Sequence, residues 1–207
     1  MIFPENSVYL ASRSLRRREL LKQIGVKYKI LLMRETLSRP VDVDETPIQN
    51  ESPTDYVYRI VNTKAEEGWS RLIQRGLPLL PVLVADTVVA VDGRILGKPK
   101  DTEHAEEILA DLSGRSHEVM TAIGVAVKDK IRVKLSTTTV KFREISKREM
   151  RYCIASGEAF DKAGAYAIQG MAAAFIEEIS GSYSGVMGLP LFETAQLLEE
   201  VGIEMFL

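Results

Sequence analysis

The stretch VLVADTVVAVDGRILGKP, residues Val82 to Pro99, decides how the rest of the chain is read. It is entered through Leu79-Leu80-Pro81-Val82-Leu83-Val84-Ala85, the continuous apolar run of a strand buried on both faces. Asp86 interrupts that run, and Thr87-Val88-Val89-Ala90-Val91 resumes it before Asp92-Gly93, a two-residue signal for a tight hairpin. A carboxylate is therefore expected at the middle or the end of a core strand. Leaving it ionised and unpaired there costs on the order of several kcal/mol, so Asp86 must meet a metal, a base or water in a cleft. Arg94-Ile95-Leu96 returns beside the first strand, and Gly97-Lys98-Pro99 carries Lys98 back towards the level of Asp86. An acid and a base at one strand end read equally as a structural ion pair at a sheet edge or as catalytic groups.

The 207 residues are enough for a sizeable core, and with 45% hydrophobic and 27% charged residues the composition is that of a globular protein. A net charge of -2 gives no general attraction to nucleic acid or to an anionic membrane, so a small substrate is expected, with any anion held by a local arrangement. The single Cys153 has no partner for an internal disulfide and sits in a helical pattern, as a small buried hydrophobe does. MIFPENSVYLASRS has neither the basic nor the apolar region of a leader, and no run approaches the roughly 18 apolar residues of a membrane span. A cytoplasmic protein without membrane or nucleic-acid partners is the expectation.

Ser7 to Ala11 reads as a first strand, and Ser12-Arg13-Ser14 turns into a helix from Leu15 to Ile24 that Ser12 or Ser14 can cap and Gly25 ends. Arg16, Arg17 and Arg18 in its first turn oppose the helix dipole. Either this is a solvated basic turn, or an anion such as phosphate is gathered by backbone N–H groups, serine hydroxyls and arginines. Val26 to Met33 reads as a second strand, followed by a polar connection to Asn50 whose acidic run Asp42-Val43-Asp44-Glu45 is expected to be solvated.

Ser52-Pro53-Thr54-Asp55 opens a long helix to about Arg75 with Val57, Ile60, Val61, Ala65, Trp69, Leu72 and Ile73 as its buried stripe. Lys64 lies seven residues after Val57, about 20° round the helix, so it either snorkels or is aimed into a pocket. A helix from Asp101 or Thr102 to Gly114 follows, then two β-rich runs, Glu118 to Lys128 and Ile131 to Glu144, joined by Asp129-Lys130. Ser136 to Thr139 is expected on an exposed face, and Ser146 to Glu149 is a capping box.

His104 on a helix and His117 in a loop lack metal-ligand spacing, which disfavours zinc. SGEAFDKAGAYAIQG, residues Ser156 to Gly170, has the small-residue density of backbone in close approach to something, and Gln169 can read a base edge with both a donor and an acceptor. Met171 to Ile179 reads as the last strand, Gly181 to Gly185 as a loop and Leu191 to Val201 as a closing helix.

Taken together, LASRSLRRRELL (Leu10 to Leu21), ADTVV (Ala85 to Val89), GKP (Gly97 to Pro99), SGEAFDKAGAYAIQG and VMGLPLFET (Val186 to Thr194) resemble the Maf family of nucleoside triphosphate pyrophosphatases, in order and over nearly the whole chain. The resemblance implies one Maf-like α/β domain over residues 1 to 207: an elongated twisted mixed sheet flanked by helices, with two lobes around a deep cleft, similar to inosine triphosphate pyrophosphatases. It implies a cytoplasmic and often dimeric enzyme that cleaves a triphosphate between its α and β phosphates with a divalent metal, magnesium or manganese.

By the same resemblance Asp86 is the proton acceptor or a metal ligand, and Glu45 is a second carboxylate at the metal. Ser12, Ser14, Arg17, Lys64 and Lys98 bind the phosphates, while Arg16, Thr87 and Gln169 set specificity. The form DKAGAYAIQG is similar to the branch acting on dTTP and UTP. N7-methyl-GTP as substrate, and a nucleotide-binding regulator of septum formation, are the alternatives.

Overall fold

The first strand, β1 (Ser7–Leu10), is paired in parallel on both sides. Its neighbours are β2 (Lys27–Ile30) and β3 (Val82–Val91), and it is buried along its whole length. The structure, a computed structural model, describes residues 6–33 and 42–205, so the part of the polar connection from 34 to 41 lies outside the described residues. Between β1 and β2 runs α1 (Leu15–Gln23), capped by the Ser14 hydroxyl and ended at Gly25 with a φ of 71°. Asp92 and Gly93 both take positive φ, as the tight hairpin demands, and β4 (Arg94–Leu96) returns antiparallel on β3. On its other edge β3 pairs antiparallel with β5 (Ser116–Val127), which pairs with β6 (Lys130–Phe142), which pairs with β7 (Ile176–Ser180). These seven strands form one mixed sheet in the order β2-β1-β3-β5-β6-β7, with β4 beside β3.

Helices cover both faces. α2 (Pro53–Gln74) packs Val57, Ile60, Val61, Ala65 and Leu72 against Val82, Val84 and Val88. It lies unusually close to the sheet. A Cβ on Gly68 would stand 2.9 Å from Val82, and one on Gly124 of β5 only 2.7 Å from Val61. The opposite face is covered by α1 and α6 (Leu191–Glu200), which pack Leu20, Leu21, Leu197 and Leu198 on Leu83, Ala85, Ile123 and Val125. A further cluster joins α3 (Thr102–Leu112) and α4 (Lys147–Ala155) to Val89, Val91, Val119 and Phe142. Cys153 belongs to it and is buried, as its helical setting implied.

Several details differ from the sequence reading. Residues Met171–Phe175 form a 3-10 helix and only Ile176–Ser180 is strand, because three successive alanines have little strand preference. Gly181 to Gly185 is not wholly loop: Ser182 caps a short helix, α5 (Tyr183–Val186). The β5–β6 turn sits at Lys128-Asp129, with Lys128 at a φ of 56°, one residue before the expected position. His117 is a buried residue of β5 and not in a loop. On β6, Thr137 and Thr139 form the one exposed face expected there, while Ser136 and Thr138 face inward, where the Thr138 hydroxyl accepts from the Ser182 N–H at 2.9 Å. On α2, Ile73 is exposed while Tyr56 and Gly68 are buried.

One consequence of the register governs the site. β1 meets β3 only at Val82 and Leu83, and β4 meets it only from Val89 to Val91. The intervening edge of β3, residues 84 to 88, is therefore uncovered on that side while its other edge stays paired with β5. Asp86 and Thr87 stand in this gap, at the C-terminal end of the parallel strand β1 where open α/β sheets place their ligands.

Candidate active site

The gap opens into a cleft of about 980 Å³ whose walls include all ten residues singled out in the sequence: Ser12, Ser14, Arg16, Arg17, Glu45, Lys64, Asp86, Thr87, Lys98 and Gln169. Alternation along β3 divides their labour. Asp86 points to the α2 face with Val84 and Val88, and Thr87 points to the α1 face.

On the α2 face, the close packing at Gly68 and Gly124 brings Lys64 down between them onto β3. Its Nζ lies 2.7 Å from Asp86 Oδ1 and 2.7 Å from Glu45 Oε1. Lys64 is thus aimed into the pocket, and it, not Lys98, is the base that meets Asp86. Asp86 is 8% exposed, which settles the burial question raised by its strand. The acidic run is not merely solvated. Asp42 forms a buried ion pair with Arg71, the Tyr56 hydroxyl donates to the Glu45 carbonyl at 3.0 Å, and Arg59 donates to the Thr46 carbonyl and to Glu51. Residues 42 to 51 are strapped along α2, and Glu45 is delivered to the cleft by that strap. Burial alone would raise the Glu45 carboxyl, but Lys64, through charge and hydrogen bond, with Lys98 and Arg17, holds it below the usual carboxylate value. Burial, reinforced by Asp86 and Glu45, pushes the Tyr56 phenol well up, so it stays a hydrogen-bond donor.

One ammonium shared by two carboxylates leaves this cluster, though not the cleft as a whole, with an excess negative charge. Among the described residues no third His, Cys, Asp or Glu joins them in a group that could hold a metal. A cation here would have two carboxylate oxygens and would complete its shell with water or phosphate oxygens, which is the habit of magnesium and suits manganese.

On the other face, the N-terminus of α1 points into the cleft. The Ser12 hydroxyl accepts from the Ser14 N–H at 3.2 Å, and Ser14 caps the helix through the Arg17 N–H. The Arg17 side chain donates to the Gly188 carbonyl at 2.7 Å, to the Ser12 hydroxyl at 3.3 Å and to Thr87 at 3.4 Å. Burial pulls its guanidinium below the ordinary value, against the field of Asp86. Thr87 also shares a 2.9 Å hydrogen bond with Thr121, so its hydroxyl is committed within the protein. Lys98 is exposed, two residues beyond the end of β4, and makes no ion pair among the described residues. Gln169 also lines the cleft, is exposed, and its side chain makes no hydrogen bond among the described residues. The cleft also has an apolar wall formed by Val89, Leu96, Val119 and Ile168, which belong to one buried cluster.

The family model described as "Maf-like protein" matches residues 7–201. The chain belongs to the Maf family. A Nitrosomonas europaea relative named dTTP/UTP pyrophosphatase is 69% identical over 207 residues, covering all of both chains. Relatives of that name from Nitrosospira multiformis and Aromatoleum aromaticum are 58% identical over 206 residues and 53% identical over 196, covering 100% of both chains in the first case and 94% of this chain and 95% of the relative in the second. The solved structure of the Staphylococcus aureus Ham1 protein is 20% identical, covers 66% of this chain and 71% of that one, and gives a TM-score of 0.44. No helix among the described residues is long and apolar enough to cross a membrane.

For this Maf chain, sequence reasoning missed Tyr56, Arg59 and Arg71, which hold the strap. A signal for Arg71 existed: it follows Lys64 by seven residues, as Lys64 follows Val57, so all three project along one line of the helix. Nothing local marks Tyr56 and Arg59, whose partners lie across a loop.

Proposed function

We propose that this chain is a nucleoside triphosphate pyrophosphatase that hydrolyses dTTP and UTP between the α and β phosphates, releasing the nucleoside monophosphate and pyrophosphate. The single observation that carries the reading is Lys64 Nζ, 2.7 Å from both Glu45 and Asp86 in a large cleft. The names of the relatives supply the substrate class. A triphosphate brings about four negative charges, and its transition state spreads charge over non-bridging oxygens, so cations must converge on it. Lys64, Lys98 and Arg17 surround the path of the phosphates, and the N–H groups of the α1 N-terminus face the same space. Asp86 accepts the proton of the attacking water or orients that water. A divalent cation, magnesium or manganese, held by Glu45 and Asp86, would neutralise charge on the phosphate oxygens. The apolar walls take the base, and the Gln169 amide pairs with its O4 and N3–H edge.

The enzyme is further proposed to be cytoplasmic and homodimeric. The dimer rests on the family resemblance and is tested by sedimentation.

The test of function is pyrophosphate release from a panel of nucleoside triphosphates with magnesium or manganese. Cleavage confined to dTTP, UTP and their modified relatives is expected. Preferential cleavage of N7-methyl-GTP would move the substrate, and binding without cleavage would make the protein a nucleotide-dependent regulator.

A further inference from the structure

Behind the base side of the cleft lies a buried polar contact that the chemistry above does not use. His117 of β5 is 2% exposed, and its Nε2 lies 2.8 Å from the Tyr166 hydroxyl, itself on a residue 5% exposed. The two rings and Phe142 stand edge to face, with centroids 4.9 to 5.4 Å apart. His117 Nδ1 is buried with no hydrogen-bond partner among the described residues. A polar pair with an orphaned nitrogen in an apolar cluster is a poor source of stability, since two packed apolar rings would avoid the desolvation cost. What such a pair does supply is a fixed position.

The element so fixed is the segment from Gly164 to Gln169. Gly164 and Ala165 take successive left-handed conformations, at φ of 72° and 58°, which for alanine must be held from outside. The Gly164 N–H donates to the Gly97 carbonyl at 3.2 Å, beside Lys98. Tyr166, Ala167, Ile168 and Gln169 all line the cleft. A glutamine amide carries both a donor and an acceptor and, turned over, matches cytosine as well as uracil. No side-chain hydrogen bond among the described residues orients Gln169, so its placement at the base depends on where its backbone is held.

From this geometry we infer that His117 and Tyr166 are positioning residues for base selection, acting through Gln169. The inference rests on the pyrimidine triphosphate reading above. His117 acts as a neutral ring: burial pulls its pKa down to about 4.

The experiment compares kcat/KM for UTP and CTP in wild type, Tyr166→Phe, His117→Leu, His117→Gln and Phe175→Leu. Tyr166→Phe and His117→Leu should each lower the UTP-to-CTP ratio by about tenfold, the scale of a small misplacement, with kcat for UTP reduced far less. His117→Gln, which keeps a polar atom at the Nε2 position, should retain most of the ratio. Phe175→Leu perturbs the same aromatic cluster without touching the pair and should leave the ratio unchanged. If Tyr166→Phe keeps the wild-type ratio, or if Phe175→Leu lowers it equally, the contact is structural only and the inference is overturned. A wild type that cleaves no triphosphate would instead overturn the functional reading, and this inference with it.

Discussion

Two ion-paired cations on one line of α2, Lys64 and Arg71, tie the 42–45 segment to the helix, and they differ in what they leave over. Arg71 meets Asp42 through two prongs, Nε at 3.0 Å and Nη2 still closer, and both side chains are nearly inaccessible. Lys64 meets two carboxylates at once, and one of them, Glu45, is 45% exposed. The first arrangement is charge-balanced and matched in shape, as a fork on a carboxylate is. The second carries an excess negative charge at the floor of a cleft. Ion pairs built for stability close on themselves, whereas those built for binding keep a charge to offer.

Breaking the closed pair should cost the most. Arg71→Met removes the guanidinium facing a buried carboxylate and should lower unfolding free energy by about 3–5 kcal/mol in urea. Turnover of the folded fraction should fall far less than in Asp86→Asn, because Tyr56 and Arg59 still hold the strap that carries Glu45.

His117 with Tyr166 is a third buried polar contact and, being uncharged, belongs to neither kind. An unfolded histidine takes its proton near pH 6.5, but in the fold His117 does so only near pH 4. Its contribution is therefore complete above pH 6.5 and is lost as the pH falls towards 4, by about 3 kcal/mol in all. His117→Gln should remove that share of the acid destabilisation, which urea midpoints at pH 7 and pH 5 would read.

Asp86→Asn attacks the open cluster. Turnover should fall by about 10²-fold or more, with stability changed little because Lys64 keeps Glu45. Lys64→Met leaves the two carboxylates facing each other, and free manganese, followed by electron paramagnetic resonance without nucleotide, should bind about tenfold tighter. Unchanged manganese affinity would mean that Glu45 and Asp86 do not converge on a cation. The smallest effect on overall rate is expected at Gln169: Gln169→Glu should shift preference among bases by at least the roughly tenfold expected of Tyr166→Phe with the overall rate largely kept, and a uniform loss across substrates would remove Gln169 from base reading.

Local signals carried much of this site. The apolar run broken by Asp86, the Asp92-Gly93 turn and the serine caps of α1 and α2 each act within a few residues, and each appears in the structure. The helical spacing of Lys64 foretold that it enters the cleft or snorkels, and packing at Gly68 and Gly124 decided for the cleft. What stayed hidden depends on long-range partners. That Lys64 and not Lys98 meets Asp86 follows from how closely α2 rides on the sheet. That Glu45 reaches the site follows from Tyr56, Arg59 and Arg71 gripping a segment that reads as solvated loop. The uncovered edge of β3 arises only from the short registers of β1 and β4. The Thr87 hydroxyl is engaged by Thr121 and Arg17, a commitment no local pattern announces.

The most direct test measures pyrophosphate release from UTP with magnesium, and the urea midpoint, on wild type, Asp86→Asn and Arg71→Met together. A crossed result is predicted: Asp86→Asn folded as stably as wild type but about 10²-fold slower, Arg71→Met markedly less stable but, once folded, with most of its turnover left because Tyr56 and Arg59 still hold the Glu45 strap. Equal turnover in Asp86→Asn and wild type would contradict the account, because the open cluster would then hold charge without taking part in the chemistry.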